Sequence, residues 1–334
     1  MKQLIFVFAL SVLYVSCKKD SSSNNVSHDI YVVGYDGQKA VYWKNGAQTA
    51  LTNGPSGSVA TGISVEGDNI YVSGFETLKS AYYWKNGIPA ILATNTPGIT
   101  SVANAITISG SDIYIAGGEE NKLTGKHIAK YWKNDVPITL SDSNNYASAL
   151  DITVVNNDIY VAGEEYNTSS HHAKYWKNGH SVILPDGLIA TSIAVVDNDV
   201  YVAGYNMVTG NGGSIKVAVY WKNGVPVVLG DGIHASSLLD IFVQGTDVYV
   251  VGSDANANGY EIAKMWKNGI ATSLADETHN SYAVGITIVD SDIYVLINDI
   301  DRNTNKRVIK ILKNGIATAL PATGTSYAYS LYVK

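Results

Sequence analysis

The chain reads as an all-β protein, a seven-bladed β-propeller with four antiparallel strands per blade, on three observations. An Asp or Asn, a β-branched residue and a tyrosine recur seven times, ending at Tyr31, Tyr71, Tyr114, Tyr160, Tyr201, Tyr249 and Tyr294. The steps between them are 40 to 48 residues, the period of a propeller blade and too long for most helical repeats. Each tyrosine is followed by Tyr-Trp-Lys-Asn-Gly or a close variant. A length of 334 residues would suggest two domains, but a repeat of this kind argues for one closed array. Apolar residues make up 46% and charged ones 16%, with 31 glycines and 23 tyrosines, as suits a well-packed, turn-rich β protein.

The fifth unit shows how each element follows from its residues. Ile193-Ala194-Val195-Val196 is a β-branched run, and Asp197-Asn198 makes a turn. Val200-Tyr201-Val202-Ala203-Gly204 is a second run, a long polar loop follows, and Val217 to Lys222 is a third. Asn223-Gly224 then leads into Val225 to Leu229. Asn-Gly between two such runs calls for a type I′ hairpin, because both turn residues need positive φ. The pair recurs in every unit except the third, where Asn134-Asp135 is expected to give a strained turn or one of another type.

We label the strands a to d, with b carrying the Tyr and c the Trp. The chain begins with strand b at Asp29 and ends with an a-type run, Ser330-Leu331-Tyr332-Val333. The last residues are therefore expected to complete the first blade and close the ring, removing the open edges of a linear array. From each Tyr to its own Trp the spacing varies from 12 to 20 residues, whereas from each Trp to the next Tyr it holds at 25 to 30. Insertions thus gather in the b to c loops. These lie on the same face as the d to a loops, and varied loops mark a binding face. The Trp at 43, 84, 132, 176, 221 and 266, with Leu312 in the last unit, is expected to pack between blades, since a residue required in every repeat serves what every repeat shares.

The first residues have their own logic. Lys2 precedes an apolar run, Leu4 to Val15, that is too short to span a bilayer, and Ser16 precedes the single cysteine, Cys17. Residues 1–16 are expected to be a signal peptide, Cys17 the lipidated residue and 17–28 a polar tether, with the propeller at 29–334. Val15-Ser16-Cys17-Lys18-Lys19-Asp20 resembles the processing site of exported lipoproteins of the Bacteroidetes. That resemblance implies an outer-membrane lipoprotein of the cell envelope, on either the periplasmic or the surface side. Without Lys2, 22 basic side chains face 29 acidic ones, which disfavours nucleic acid or an anionic lipid surface as partner. The expected partners are the membrane, through acyl chains, and a glycan or protein ligand, with the protein itself a monomer.

Ala173-Lys174-Tyr175-Trp176-Lys177-Asn178-Gly179, with Leu184 five residues on, resembles the bacterial extracellular repeats called HAF. The a to b hairpin is similar to kelch-type repeats, whose Gly-Gly pair survives at Gly117-Gly118. The resemblance implies a propeller and an exported location, and neither family carries over a catalytic residue.

Familiar enzyme signatures such as His-Glu-x-x-His, the Gly-x-Ser-x-Gly elbow and a phosphate-binding glycine loop are absent. Five residues before each Trp or its Leu replacement stand Gln38, Lys79, His127, His171, Lys216, Glu261 and Arg307, an expected polar ring on the varied face suited to an anionic ligand such as a uronate glycan. The same ring also reads as plain solvated strand ends. Asp151 and Asp240 begin the apolar run of strand a where other units have small residues, and with His234 and His279 in the d to a loops they are the candidate acids and bases of a polysaccharide lyase or hydrolase. Alternatively the two carboxylates bond loop amides. Asp254, Asn256 and Asn258, and then Asp299 and Asp301, alternate like the start of a calcium loop, but Met265 stands where a bidentate Glu belongs, so a plain polar loop is the competing reading. No cofactor is otherwise implied. The sequence points to a membrane-anchored binding module without chemistry of its own, with a channel-mouth enzyme or a scaffold subunit of an envelope complex as alternatives.

Overall fold

The structure is a computed structural model that describes residues 28–54, 57–76, 80–92, 98–142, 144–210, 213–300, 304 and 306–334. The predicted signal peptide, Cys17, Lys79 and Asp301 lie outside the described residues. Seven four-stranded antiparallel sheets form the blades, each ordered a-b-c-d. Blade 4 is typical, with strands Tyr146–Val155, Asp158–Tyr166, His171–Lys177 and His180–Ile183. In blade 1, Tyr327–Val333 pairs antiparallel with Ile30–Asp36, so the C-terminal strand closes the ring as expected. Asp29 and Lys334 exchange both backbone hydrogen bonds at 2.8 and 2.9 Å, where the other blades have their a to b turn. Asn298 of blade 7 adds to the closure, donating to the Ala328 carbonyl and accepting from its N–H, each at 2.9 Å.

The repeated signature builds a clamp on the face of the tight turns. In blade 3, Asn134 Nδ2 donates to Asp112 Oδ1 at 2.7 Å while its Oδ1 accepts from Ile113 N–H at 2.9 Å. Lys133 pairs with Asp112 Oδ2 at 2.8 Å and lies 5.2 Å over the Tyr114 ring. The same set recurs in blades 1, 4, 5, 6 and 7. In blade 2, Asn69 takes the place of the Asp. The clamp joins the start of strand b to the c to d turn, so the Asp, Tyr, Lys and Asn of the signature act as one unit. The Asn134-Asp135 turn keeps the geometry of its siblings, with φ of +48° and +68°, rather than switching type. A left-handed Asp is uncommon but tolerated.

The six Trp side chains are buried between blades, as expected. Trp176 of blade 4 packs on Tyr114, Ala129 and Tyr131 of blade 3, and Trp43 of blade 1 on Tyr294, Leu296 and Ile309 of blade 7. Beneath the rings of blades 2, 3 and 4 a strand b glycine leaves space. A Cβ on Gly74, Gly117 or Gly163 would stand 2.9, 3.0 or 3.1 Å from Cζ3 of its own blade's Trp. Blade 7 changes both members, with Leu312 for the Trp and Ile297 for the glycine, so the volume lost at one site is supplied at the other.

The long polar loop expected after Gly204 is instead a hairpin. Asp199–Gly210 and Gly213–Lys222 stay paired to Gly210↔Gly213, which projects the insertion from the varied face as three more residue pairs than blade 4 has.

Deleting Tyr327 onward is expected to abolish the single cooperative thermal transition followed by circular dichroism. Gly163→Ala, whose Cβ would meet the Ser148 carbonyl oxygen at 1.9 Å, is expected to cost about 3 kcal/mol in denaturant unfolding.

Candidate binding face and central channel

Strand a lines the axis, and in every blade its ladder slips at the same place. In blades 2 to 7 the extra residue is Thr61, Asn104, Leu150, Thr191, Leu239 or Val284, and in blade 1 the slip falls at Tyr329. A bulge turns the strand and frees an amide from its partner. The residues that follow, Gly62, Ala105, Asp151, Ser192, Asp240, Gly285 and Ser330, surround a cavity of about 260 Å³ on the axis. Small side chains and the two aspartates therefore do meet in the channel, as their position before the apolar run suggested.

Asp151 accepts from Ile152 N–H at 2.8 Å and, from the next blade, Ile193 N–H at 2.9 Å. Asp240 likewise accepts from Ile241 and Ile286 N–H at 2.8 Å each. The carboxylates thus bond amides of the bulged strands, stitching blade 4 to 5 and blade 6 to 7. Ser192 Oγ lies between them, 2.9 Å from Asp151 and 2.8 Å from Asp240. A hydroxyl has one proton, so it donates to only one of the two, and the other contact is favourable only when that carboxyl is itself protonated. Burial raises the pKa of both acids. For Asp240, burial and the neighbouring Asp151 charge push it up to about 7. A proton on Asp240 makes both contacts hydrogen bonds, with Ser192 donating to Asp151 and accepting from Asp240.

The two histidines proposed to serve these acids are elsewhere. His234 Nδ1 pairs with Asp231 at 2.7 Å on its d to a loop, and His279 stands between Asp276 at 3.1 Å and Asp299 at 3.4 Å. Neither lines the channel cavity.

On the varied face the structure assembles more than the sequence showed. Tyr146, Tyr166 and His171 are neighbours across three strands of blade 4. The tyrosine rings stack at 5.0 Å and 7°, with His171 4.9 Å beyond. His127 of blade 3 continues the row at 6.0 Å from Tyr146 and borders a cavity of about 110 Å³ between the two blades. Glu164 holds His171 Nε2 at 2.5 Å. Lys216 lies 4.8 Å over the Tyr205 ring. Arg307 donates to the Tyr35 hydroxyl at 2.5 Å and covers Tyr327, which stacks on Tyr35 at 6.4 Å with Tyr329 adjoining. Neither cation has a carboxylate partner among the described residues. Glu261 is half-buried, its N–H bonded to Asn280 Oδ1 at 3.0 Å, and Gln38 is exposed at the blade 1 turn.

Tyr35, Tyr146, Tyr166, Tyr327 and Tyr329 were missed because they stand outside the signature. Their signal was that very irregularity. Also missed were the lysines two residues before the Trp position. Lys130, Lys174, Lys264 and Lys310 pair with Glu119, Glu165, Asp254 and Asp299, each acid five residues after the signature Tyr. These pairs occupy two of the calcium candidates. Asn256 Oδ1 caps its own turn, accepting from Asn258 and Tyr260 N–H at 3.0 and 3.1 Å. Among the described residues no group of three or more His, Cys, Asp or Glu is arranged to hold a metal.

No family model and no curated protein matches the sequence. Among solved structures the chain is similar to a puromycin-hydrolysing peptidase of Mycobacterium tuberculosis, with a TM-score of 0.57 at 10% identity over 89% of this chain. It spans 53%, about half, of that peptidase chain. It is also similar to a protein described as TolB from Agrobacterium tumefaciens (TM-score 0.45, 10% identity, 92% of this chain and 99% of that one). A third is a quinoprotein alcohol dehydrogenase-like protein from Bacteroides thetaiotaomicron (TM-score 0.48, 10% identity, 91% of this chain and 77% of that one). At 10% identity the likeness is one of fold alone.

Because Asp240 binds its proton more tightly folded than unfolded, its contribution to stability is full below the unfolded carboxyl range near 4 and is lost as pH rises through about 7. Wild type is expected to lose roughly 2–3 kcal/mol between pH 5 and pH 8 relative to Asp240→Asn, read by denaturant titration at both pH values.

Proposed function

We propose that this protein is a membrane-tethered binding module that takes an acidic glycan on its varied face, without chemistry of its own. The observation that carries the reading is the row His127, Tyr146, Tyr166 and His171 beside an inter-blade cavity. Flat aromatic faces stack on the apolar faces of sugar rings. The histidines and the two cations without carboxylate partners, Lys216 and Arg307, suit carboxylates on such a chain. These residues break the repeat, so the packing that every blade shares does not explain them. The fold is also one that presents loops of successive blades around one face, a common basis for binding.

The channel supplies a second reading, because a protonated Asp240 beside Asp151 is the kind of group a lyase or hydrolase uses. It ranks below the first, since both carboxyls already accept two backbone N–H bonds and no histidine reaches them.

Retention on an immobilised uronate polysaccharide is expected to fall at least tenfold in Tyr166→Ala/His171→Ala and in Lys216→Glu, with unchanged thermal unfolding. Unchanged retention in both variants would remove the binding reading. Turnover of such a polysaccharide that disappears in Asp240→Asn would establish the enzyme instead.

A further inference from the structure

The face opposite the varied one carries an unexplained surface. At the first position of strand d, just past the c to d turn, stand Ile88, Val136, Val225, Ile270 and Ile316. They are 62 to 75% exposed, among the most exposed large apolar side chains among the described residues. Each sits directly across the turn from the signature lysine of its blade, Lys85, Lys133, Lys222, Lys267 or Lys313. The ammonium nitrogens of these lysines lie over tyrosine rings at 5.0 to 5.4 Å, and those of Lys133, Lys222, Lys267 and Lys313 also pair with the signature Asp of their blade. An apolar rim backed by tyrosine rings and lysine stems is the chemistry of a membrane interface.

Where the chain enters the fold says what covers this rim. The first described residue, His28, is on this face, 3.3 Å from Asp290 in the a to b turn of blade 7. Eleven residues, Lys18 to His28, separate Cys17 from the fold. Even fully extended, a chain of that length spans no more than about 40 Å. Strands of nine residues make the body about 30 Å high, so an anchor at Cys17 reaches the bilayer most directly with this face against it. Lys133, Lys222, Lys267 and Lys313 pair with signature Asp residues, and only Lys85 has Asn69 in that place, so the lysines add little net positive charge and the rim favours zwitterionic over anionic headgroups.

We propose that the tight-turn face rests on a zwitterionic phospholipid bilayer through this rim, holding the varied face outward toward its ligand. The inference rests on the lipid anchor at Cys17. With Cys17 acylated, Ile270→Cys and Ile316→Cys on this face, and Leu123→Cys and Ile233→Cys on the varied face, can be labelled singly with an environment-sensitive fluorophore in the full chain.

The labelled lipoprotein is reconstituted into phosphatidylethanolamine/phosphatidylcholine vesicles containing brominated lipid. Rim labels are expected to be quenched at least fivefold more than varied-face labels, with little dependence on salt. Equal quenching, quenching confined to the varied face, or rim shielding that follows protein concentration rather than lipid overturns the proposal and leaves the anchor standing. If the unlabelled chain carries no acyl mass and does not float with vesicles, the anchor and this inference both fall. The polysaccharide retention assay reports on the ligand face independently.

Discussion

Ring closure is the constraint on which the rest depends. A four-stranded blade buries one face only against its neighbour, and each Trp packs into the blade before it, so the set is stable only when the last blade also has a neighbour. The chain meets this by lending Tyr327–Val333 to the first blade. Further bonds reinforce the seam. Trp43 Nε1 donates to the Pro321 carbonyl at 3.0 Å, and Asp36 accepts from Thr323 N–H at 3.2 Å and from the Ser326 hydroxyl at 2.5 Å. The aromatic group of Tyr35, Tyr327 and Tyr329 sits on this same seam, where strands from the two ends of the chain meet.

Repetition and irregularity divide the molecule between two faces. The signature residues are spent on the tight-turn face, where Asp, Tyr, Lys and Asn lock strand b to the next hairpin. What departs from the signature collects on the varied face: the stacked tyrosines, the histidines and the extended hairpin of blade 5. Stability needs equivalent contacts around a ring, whereas recognition of one ligand needs a place unlike the others. The axis combines the two, since the bulge recurs in every blade but its freed amides are met by carboxylates only from blades 4 and 6.

Fold and register were legible in the sequence because they depend on local rules. Alternating β-rich runs, Asn-Gly turns and a fixed period specify strands, hairpins and blades, and the surplus a-type run at the C-terminus announced the closing strand. The polar ring was legible as a set of positions, and His127 and His171 stand at the two ends of one row on neighbouring blades. Their companions Tyr146 and Tyr166 were not, because the row depends on which strands lie side by side. The histidines proposed for the channel failed for the same reason. His234 and His279 are near strand a in sequence, but their loops carry them to acids on the rim of the varied face.

By itself, then, the sequence determined seven blades, their turns, and which residues every blade must repeat, since each of these is settled by neighbours a few residues apart. Only the tertiary structure decided that one hydroxyl would lie between two aspartates 89 positions apart, Asp151 and Asp240. It also decided that five aliphatic side chains and the chain's entry point would share one face. Both arise from closing the circle, which brings distant segments to one axis and one rim, and no local pattern of residues encodes that geometry.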